Sequence, residues 1–374
     1  MREVYTALMP VSGSDTPRIN RITILMTRFH LILTLDYELF GDGSGCVDAC
    51  LVQPTEQARQ IIEGYDGRLT LFVEALEMQK LQELVPGDFA GVDRQLGQMA
   101  AKGHPLELHL HPQWMTAARE TENWHLDFSK WRIGDLSPAE QAQCVDAGIS
   151  FLNNYGSVHA FRAGAWAIQP EASLLELLRE RGISLESSVA PGIHNPAAGD
   201  WFDFRQVPDA PYWFTSDNVC RQQPGGRTLE VPITTQAIGR LPHFRAIAAA
   251  RRMKRFPEGC EGSYDGPNSR LQSLRGKLAK LYNLGQVMLD FSTLPAELLI
   301  AVVQGAMVAY ESEGGAIPLV AIGHNKNFSR NSAIELDKFL AWVATQPEIC
   351  LSDYRSWREQ LALTGTDYAG AGLG

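Results

Sequence analysis

Two short segments concentrate the side chains that do chemistry. In Leu106-Glu107-Leu108-His109-Leu110-His111, leucines alternate strictly with ionisable residues. A period of two belongs to a β-strand, so Glu107, His109 and His111 share one face and the leucines the other. Three ionisable groups are poor material for an apolar core, and they fit a face turned toward a metal ion or a polar pocket. Pro112 ends the strand, which places His109 and His111 near its C-terminal end. Two imidazoles two residues apart can both reach one cation, and neutral imidazole is a favoured ligand of zinc and related metals. The competing reading is a pair of satisfied core histidines.

The second segment is Leu31-Ile32-Leu33-Thr34-Leu35-Asp36-Tyr37-Glu38. Its apolar run marks a strand buried on both faces. It ends in Asp36 and Glu38, which the same period puts on one side. Buried carboxylates are costly unless paired or metal-bound. One can hold a cation while the other serves as a general base. A surface turn with incidental acids is the alternative, and Gly41-Asp42-Gly43 beyond it does read as a turn. Elsewhere Glu74, Arg162, Glu230, Asp290 and His324 each fall at or just past the end of a predicted strand, the rim where catalytic residues of β/α barrels converge. Trp114, Trp124, Trp131, Trp166 and Trp213 lie near that rim. Trp114 and Trp166, with Glu74 and Asp290, are candidates for substrate contact, although core packing explains tryptophans equally well.

These residues need a frame that brings strand ends together. Short β-rich runs are expected at His30–Asp36, Arg68–Glu74, Pro105–His111, Val158–Arg162, Ile183–Val189, Thr228–Ile233, Val287–Phe291 and Pro318–Gly323. Helical patterns fall between them at Thr55–Glu63, Val92–Ala101, Pro138–Asn154 and Pro170–Arg181. Ser137-Pro138-Ala139-Glu140 predicts a capped helix start, and Gly182 a helix end after Arg181. Seven or eight βα units over residues 29–362 predict an α/β protein: an irregular barrel of (β/α)7 type, or, as runner-up, a doubly wound sheet. No phosphate-binding glycine loop follows the first strand.

The chain has 374 residues and a net charge of −10, which argues against general nucleic-acid binding, since that needs a basic face. Residues 240–280 run against the trend, with ten Lys/Arg to three Asp/Glu. They read as a basic helical insertion at about 240–282, either solvated or a surface for peripheral membrane contact or an anionic saccharide. Six scattered cysteines predict free thiols in a reducing compartment rather than a disulfide scaffold. Residues 1–28 read as a flexible leader, with Met26 an alternative start, and 363–374 as a flexible tail. With neither a signal peptide nor a membrane span in the sequence, the expectation is a cytoplasmic protein, at most peripheral to the inner face of the membrane.

The motifs resemble those of the NodB-type polysaccharide deacetylases, carbohydrate esterase family 4. Thr34-Leu35-Asp36-Tyr37-Glu38 occupies the place of that family's Thr-Phe-Asp-Asp-Gly. His109 follows Gly103-His104, Phe161-Arg162-Ala163-Gly164-Ala165-Trp166 matches its arginine motif, and Leu319-Val320-Ala321-Ile322-Gly323-His324 its C-terminal histidine motif. The resemblance implies an irregular barrel and a metal-dependent N-deacetylase acting on an N-acetylated saccharide or lipid-linked glycan. It implies one divalent ion, zinc first, with cobalt, nickel or manganese as alternatives. Asp36 would be the general base, Arg162 would keep it ionised and oriented, and His324 would be the general acid. Two positions depart from the pattern. Tyr37 replaces the metal carboxylate, so Glu38 is the natural substitute. Gln113 replaces the second histidine, so either His111 serves with His109, or Gln113 and water complete the site. Rival readings are an amidase acting on a ureide or cyclic imide, a non-catalytic sugar-binding barrel, and a phosphoesterase.

Overall fold

The computed structural model describes residues 28–196, 201–238, 257–260, 262 and 285–363. The expected leader, basic insertion and tail lie outside these residues, apart from Arg28, Leu363 and the short stretch around Cys260.

Nine strands form the main sheet: β1 (Phe29–Tyr37), β2 (Thr70–Glu74), β3 (Leu106–Leu110), β4 (Ala160–Ala163), β5 (Leu185–Glu186), β6 (Trp213–Thr215), β7 (Thr228–Glu230), β8 (Ile317–His324) and β9 (Ile349–Ser352). The order is β6-β7-β5-β4-β3-β2-β1-β8. On the edge of β1 away from β8, β9 pairs with its first half and β2 with its second. All neighbours are parallel except β6 and β7. The outer edge of β8 is met by bridges from Ile233, just past β7, and from Asp290. These contacts curl the sheet into an irregular α/β barrel.

Helices lie between the strands along the chain, α1 (Gln53–Glu63), α2 (Ala75–Leu84), α3 (Pro86–Ala101), α4 (Pro138–Leu152), α5 (Ala172–Glu180), α6 (Ala296–Ala309) and α7 (Arg330–Val343), and α8 (Tyr354–Leu363) follows β9. The Ser137–Glu140 capping box starts α4. Gly182, at φ +82°, follows α5 in a left-handed conformation that a side chain would strain.

Strand alternation sorts the core into two layers. Leu31, Leu33, Leu35 and Tyr37 of β1 join the large layer shared with the helices, whereas Ile32 packs inside the barrel with Phe72, Leu185, Leu229 and Val320. Tyr354, Trp357 and Leu361 of α8 belong to that inner cluster. The inner positions of β1 therefore read Ile32, Thr34, Asp36, and those of β2 Phe72, Glu74. On β3 they read Glu107, His109, and on β4 Ala160, Arg162. Glu107 excepted, the apolar members lie low in the barrel and the polar ones toward the C-terminal ends of the strands.

Three expectations are corrected. The run Val287–Phe291 does not form a parallel barrel strand. Gln286–Met288 pairs antiparallel with Thr235–Ala237 outside the main sheet, and Asp290 only bridges to β8. Helix α2 was not expected, and α3 begins six residues before the predicted Val92. Finally, Cys50 and Cys260 form a disulfide across 210 residues, leaving Cys46, Cys144, Cys220 and Cys350 free. Such a pairing joins residues the fold brings together, which spacing along the chain does not reveal.

Candidate metal and catalytic site

Glu38, His109 and His111 meet at the C-terminal end of the barrel and are the one group of potential metal ligands found among the described residues. The carboxylate oxygen Oε2 of Glu38 lies 2.9 Å from His111 Nε2 and 3.6 Å from His109 Nε2. All three side chains are buried. His109 Nδ1 lies 2.9 Å from the carbonyl of Arg162. That oxygen can only accept, so Nδ1 carries the proton and the Nε2 lone pair points at Glu38. Nε2 is buried and makes no hydrogen bond. A fixed tautomer with an unsatisfied inward lone pair is the arrangement of a metal-binding imidazole. One oxygen and two imidazole nitrogens suit zinc and its neighbours in the first transition row. The residues present therefore fit a single divalent cation.

Local structure explains the convergence. His111 follows β3 and its ring is met by Gly164 at the end of β4, where a Cβ would lie 2.6 Å from His111 Nδ1. Any larger residue at 164 would displace the imidazole. Tyr37 points the other way, its hydroxyl donating to Gln95 Oε1 at 2.9 Å, as the period of two requires. Gln113 sits in the turn after Pro112 and directs its amide toward the Gly41 carbonyl at 3.5 Å. Of the two alternatives left by the sequence, His111 is the one that joins His109.

Asp36 lies in the neighbouring inner position. Its Oδ1 accepts from Arg162 Nη1 at 2.6 Å, and its Oδ2 is 3.5 Å from His324 Nε2. Arg162 is fully buried. It is fixed by Thr34 Oγ1 at 3.0 Å, by the Ser187 carbonyl at 2.8 Å and by its stacking over Phe72 at 4.0 Å. An ion pair so enclosed holds one geometry and is costly to break. Arg162 thus links the two halves of the site, with its carbonyl on His109 and its guanidinium on Asp36. The pairing of β1 and β8 sets Asp36 directly opposite His324. Trp166 packs edge-on over His324, the ring centres 6.0 Å apart, and both Ala165 and Trp166 have positive φ. Strained backbone of this kind is concentrated at functional sites.

The same register brings in a residue that the sequence reading missed. Two positions beyond the Asp36–His324 pair, Lys326 stands beside Glu38. Its Nζ lies 2.8 Å from Glu38 Oε1 and 2.9 Å from the Leu39 carbonyl, and the side chain is buried. Burial opposes the charge of Glu38, but Lys326 and His111 outweigh it and hold the carboxyl well below the usual range. His324-Asn325-Lys326 has the same spacing as Asp36-Tyr37-Glu38, and that symmetry was the available signal.

The other candidates are placed differently. Glu74 is buried and caps α2 by accepting from the Leu76 and Glu77 amides. Burial, then Glu77 and Glu38, raise its carboxyl well above the usual value. Glu230 alternates with Leu229 of the inner cluster and so faces the outer layer, next to Glu186 in register. Asp290 spends its carboxylate on a turn with Ser292 and Thr293. Trp114 and Trp213 are fully buried, and Trp114 packs on Trp124. Neither offers a face for a sugar ring. Trp131 instead packs edge-on against His111 at 5.4 Å.

No family model matches the chain, and none of the curated proteins matches it in sequence. Solved structures do match it. A protein assigned as a polysaccharide deacetylase in Mycobacterium smegmatis superposes over 99% of this chain and 98% of its own, with a TM-score of 0.50 and 14% identity. The Puue allantoinase superposes over 91% and 92%, with a TM-score of 0.48 and 11% identity. A mutant of a pseudoenzyme of carbohydrate esterase family 4 does so over 90% and 67%, with a TM-score of 0.40 and 8% identity. At 14% identity, the likeness to the Mycobacterium smegmatis protein speaks for the fold alone.

Proposed function

Because the chain folds as a divergent polysaccharide-deacetylase barrel, we propose that it is a metal-dependent hydrolase removing an N-acetyl group from a sugar of a surface polysaccharide, a lipopolysaccharide or a precursor of either. Glu38, His109 and His111 would hold one divalent ion, zinc first. When bound, such an ion lowers the pKa of water toward about 7 and polarises an acyl carbonyl. Asp36, held in place by Arg162, accepts the proton of the attacking water. His324, beside it on the open side of the site, donates one to the departing amine. Trp166 and Trp131 flank the imidazoles and offer ring edges or faces to a saccharide. The observation that carries the reading is the inward, unsatisfied Nε2 of His109, aimed at the oxygen of a carboxylate that a second imidazole also reaches.

The test is acetate release from chitin-type oligosaccharides. Release that a chelator abolishes and zinc restores is expected. Hydrolysis of a ureide instead would favour the amidase reading, and of a chromogenic phosphate ester the phosphoesterase. A second reading, a sugar-binding barrel without metal or turnover, is favoured by one observation: Lys326 already places a positive charge on Glu38. Saccharide binding without hydrolysis, unaffected by any divalent ion, would establish it.

A further inference from the structure

Lys326 is unusual company for a metal ligand. A buried ammonium normally finds a carboxylate because neither charge is tolerable alone. Here the carboxylate is Glu38, the only anionic member of the Glu38–His109–His111 group. The two oxygens of Glu38 are divided: Oε1 is 2.8 Å from Lys326 Nζ, and Oε2 faces the two imidazoles at 2.9 and 3.6 Å. Lys326 is itself tied down by the Leu39 carbonyl at 2.9 Å and lies 5.8 Å from the centre of the Phe40 ring. The turn Asn325–Asn327 that carries it also supplies Asn325 Oδ1 to the Glu38 amide at 3.3 Å. Two residues of one turn thus grip the backbone and side chain of Glu38.

We infer that Lys326 is a positioning residue of the metal centre, one that restricts Glu38 to coordination through Oε2 and sets a low affinity for the cation by placing a fixed positive charge beside it. The inference rests on the metal-centre reading above and adds to it. Two consequences follow from charge alone. Without a cation, the Lys326–Glu38 pair compensates the ligand carboxylate, so the three ligands stay assembled. With a cation, the ammonium and the ion share one carboxylate and repel each other across a few ångströms of water-poor interior, where charges are weakly screened. Such a centre exchanges its ion readily and needs no ion to fold.

The test is zinc and cobalt(II) titration of the full chain by calorimetry at pH 7.5, alongside thermal denaturation of the metal-free protein. Three forms are compared: the natural protein, Lys326→Met and His109→Ala. Lys326→Met keeps most of the side-chain volume and removes the charge. It should bind zinc at least about tenfold more tightly, and its metal-free form should melt lower, with zinc restoring much of the loss. Unchanged or weaker zinc binding by Lys326→Met, in a protein that still loses its ion on His109→Ala, would overturn the role of Lys326 and leave the metal centre standing. If the natural protein and Lys326→Met both fail to bind either ion, the metal centre falls and this inference with it. Should Lys326→Met not fold, Lys326→Gln, which keeps a donor for Oε1 without the charge, must show the tighter binding instead. If it does not, the inference fails.

Discussion

Asp36 is gripped from one side by Arg162 and approached from the other by His324, and this asymmetry defines what each substitution should do. Asp36→Asn preserves volume and removes the base, so turnover of an N-acetylated oligosaccharide should be lost while zinc binding is retained. Loss of the ion in that variant, measured by metal analysis after gel filtration, would mean that Asp36 and Glu38 have exchanged roles. Arg162→Met removes the guanidinium paired with a buried carboxylate and should cost about 3–5 kcal/mol of stability by urea denaturation. A change within experimental scatter would show that water already solvates Asp36. The sequence made the residues on β1 and β3 legible because strand alternation alone sorts them to one face. It left Lys326 hidden because its partner is set by the register of β1 against β8, two strands separated by most of the chain. Trp114 misled for a similar reason: position near the rim says nothing about which way an indole turns, and this one is buried against Trp124.

Elements carry the site by ending where they do. Strand β3 stops at Pro112, β4 at Gly164, and the loop after β1 is anchored by Glu77, which accepts from the Leu39 amide at 3.0 Å. Gly164→Ala should therefore push the His111 ring out of line and weaken zinc binding while leaving secondary structure intact by circular dichroism. Full affinity in that variant would remove His111 from the ligand set. Helix α2 escaped sequence reading because Glu77 interrupts its buried face of Leu76, Met78 and Leu81, and a buried carboxylate is disguised as a surface residue until its partners are seen. At the opposite end of β3, Glu107 faces the barrel interior and accepts from the His159 and Ala160 amides, both at 2.7 Å. Burial outweighs those hydrogen bonds and pushes its carboxyl up from 4.5 to about 7. A carboxyl raised on folding binds its proton more tightly in the folded state, so its contribution favours the fold at low pH and is lost as pH climbs from about 4.5 to about 7. Glu107→Gln keeps an oxygen for both amides and cannot ionise. It should stabilise the protein at pH 8 by on the order of 2–3 kcal/mol and leave it nearly unchanged at pH 4. Equal effects at both values would show that Glu107 does not titrate between them.

At the scale of the molecule, the βα rhythm predicted an irregular barrel and the structure has one, the outer edge of β8 met not by a further regular strand but by single bridges from Ile233 and Asp290. Those bridges have no periodic signature, which is why Val287–Phe291 reads as an ordinary strand. The Cys50–Cys260 disulfide spans 210 residues, and a cross-link over so long a loop restricts the unfolded chain by up to about 5 kcal/mol in the chain-entropy view. Cys50→Ser should lower the denaturation midpoint accordingly in oxidising buffer and have no effect under strong reductant. Equal midpoints in oxidising buffer would mean that the bond does not form in solution. None of these tests reaches the central claim, that Glu38, His109 and His111 act together on one cation. Calorimetric titration of zinc into chelator-stripped protein, repeated with His109→Ala and Glu38→Gln, reaches it directly. The expected result is one site per chain in the natural protein, weakened by at least about a hundredfold in each variant. A natural protein that takes up no zinc, or variants that bind it as tightly as their parent, would contradict the account.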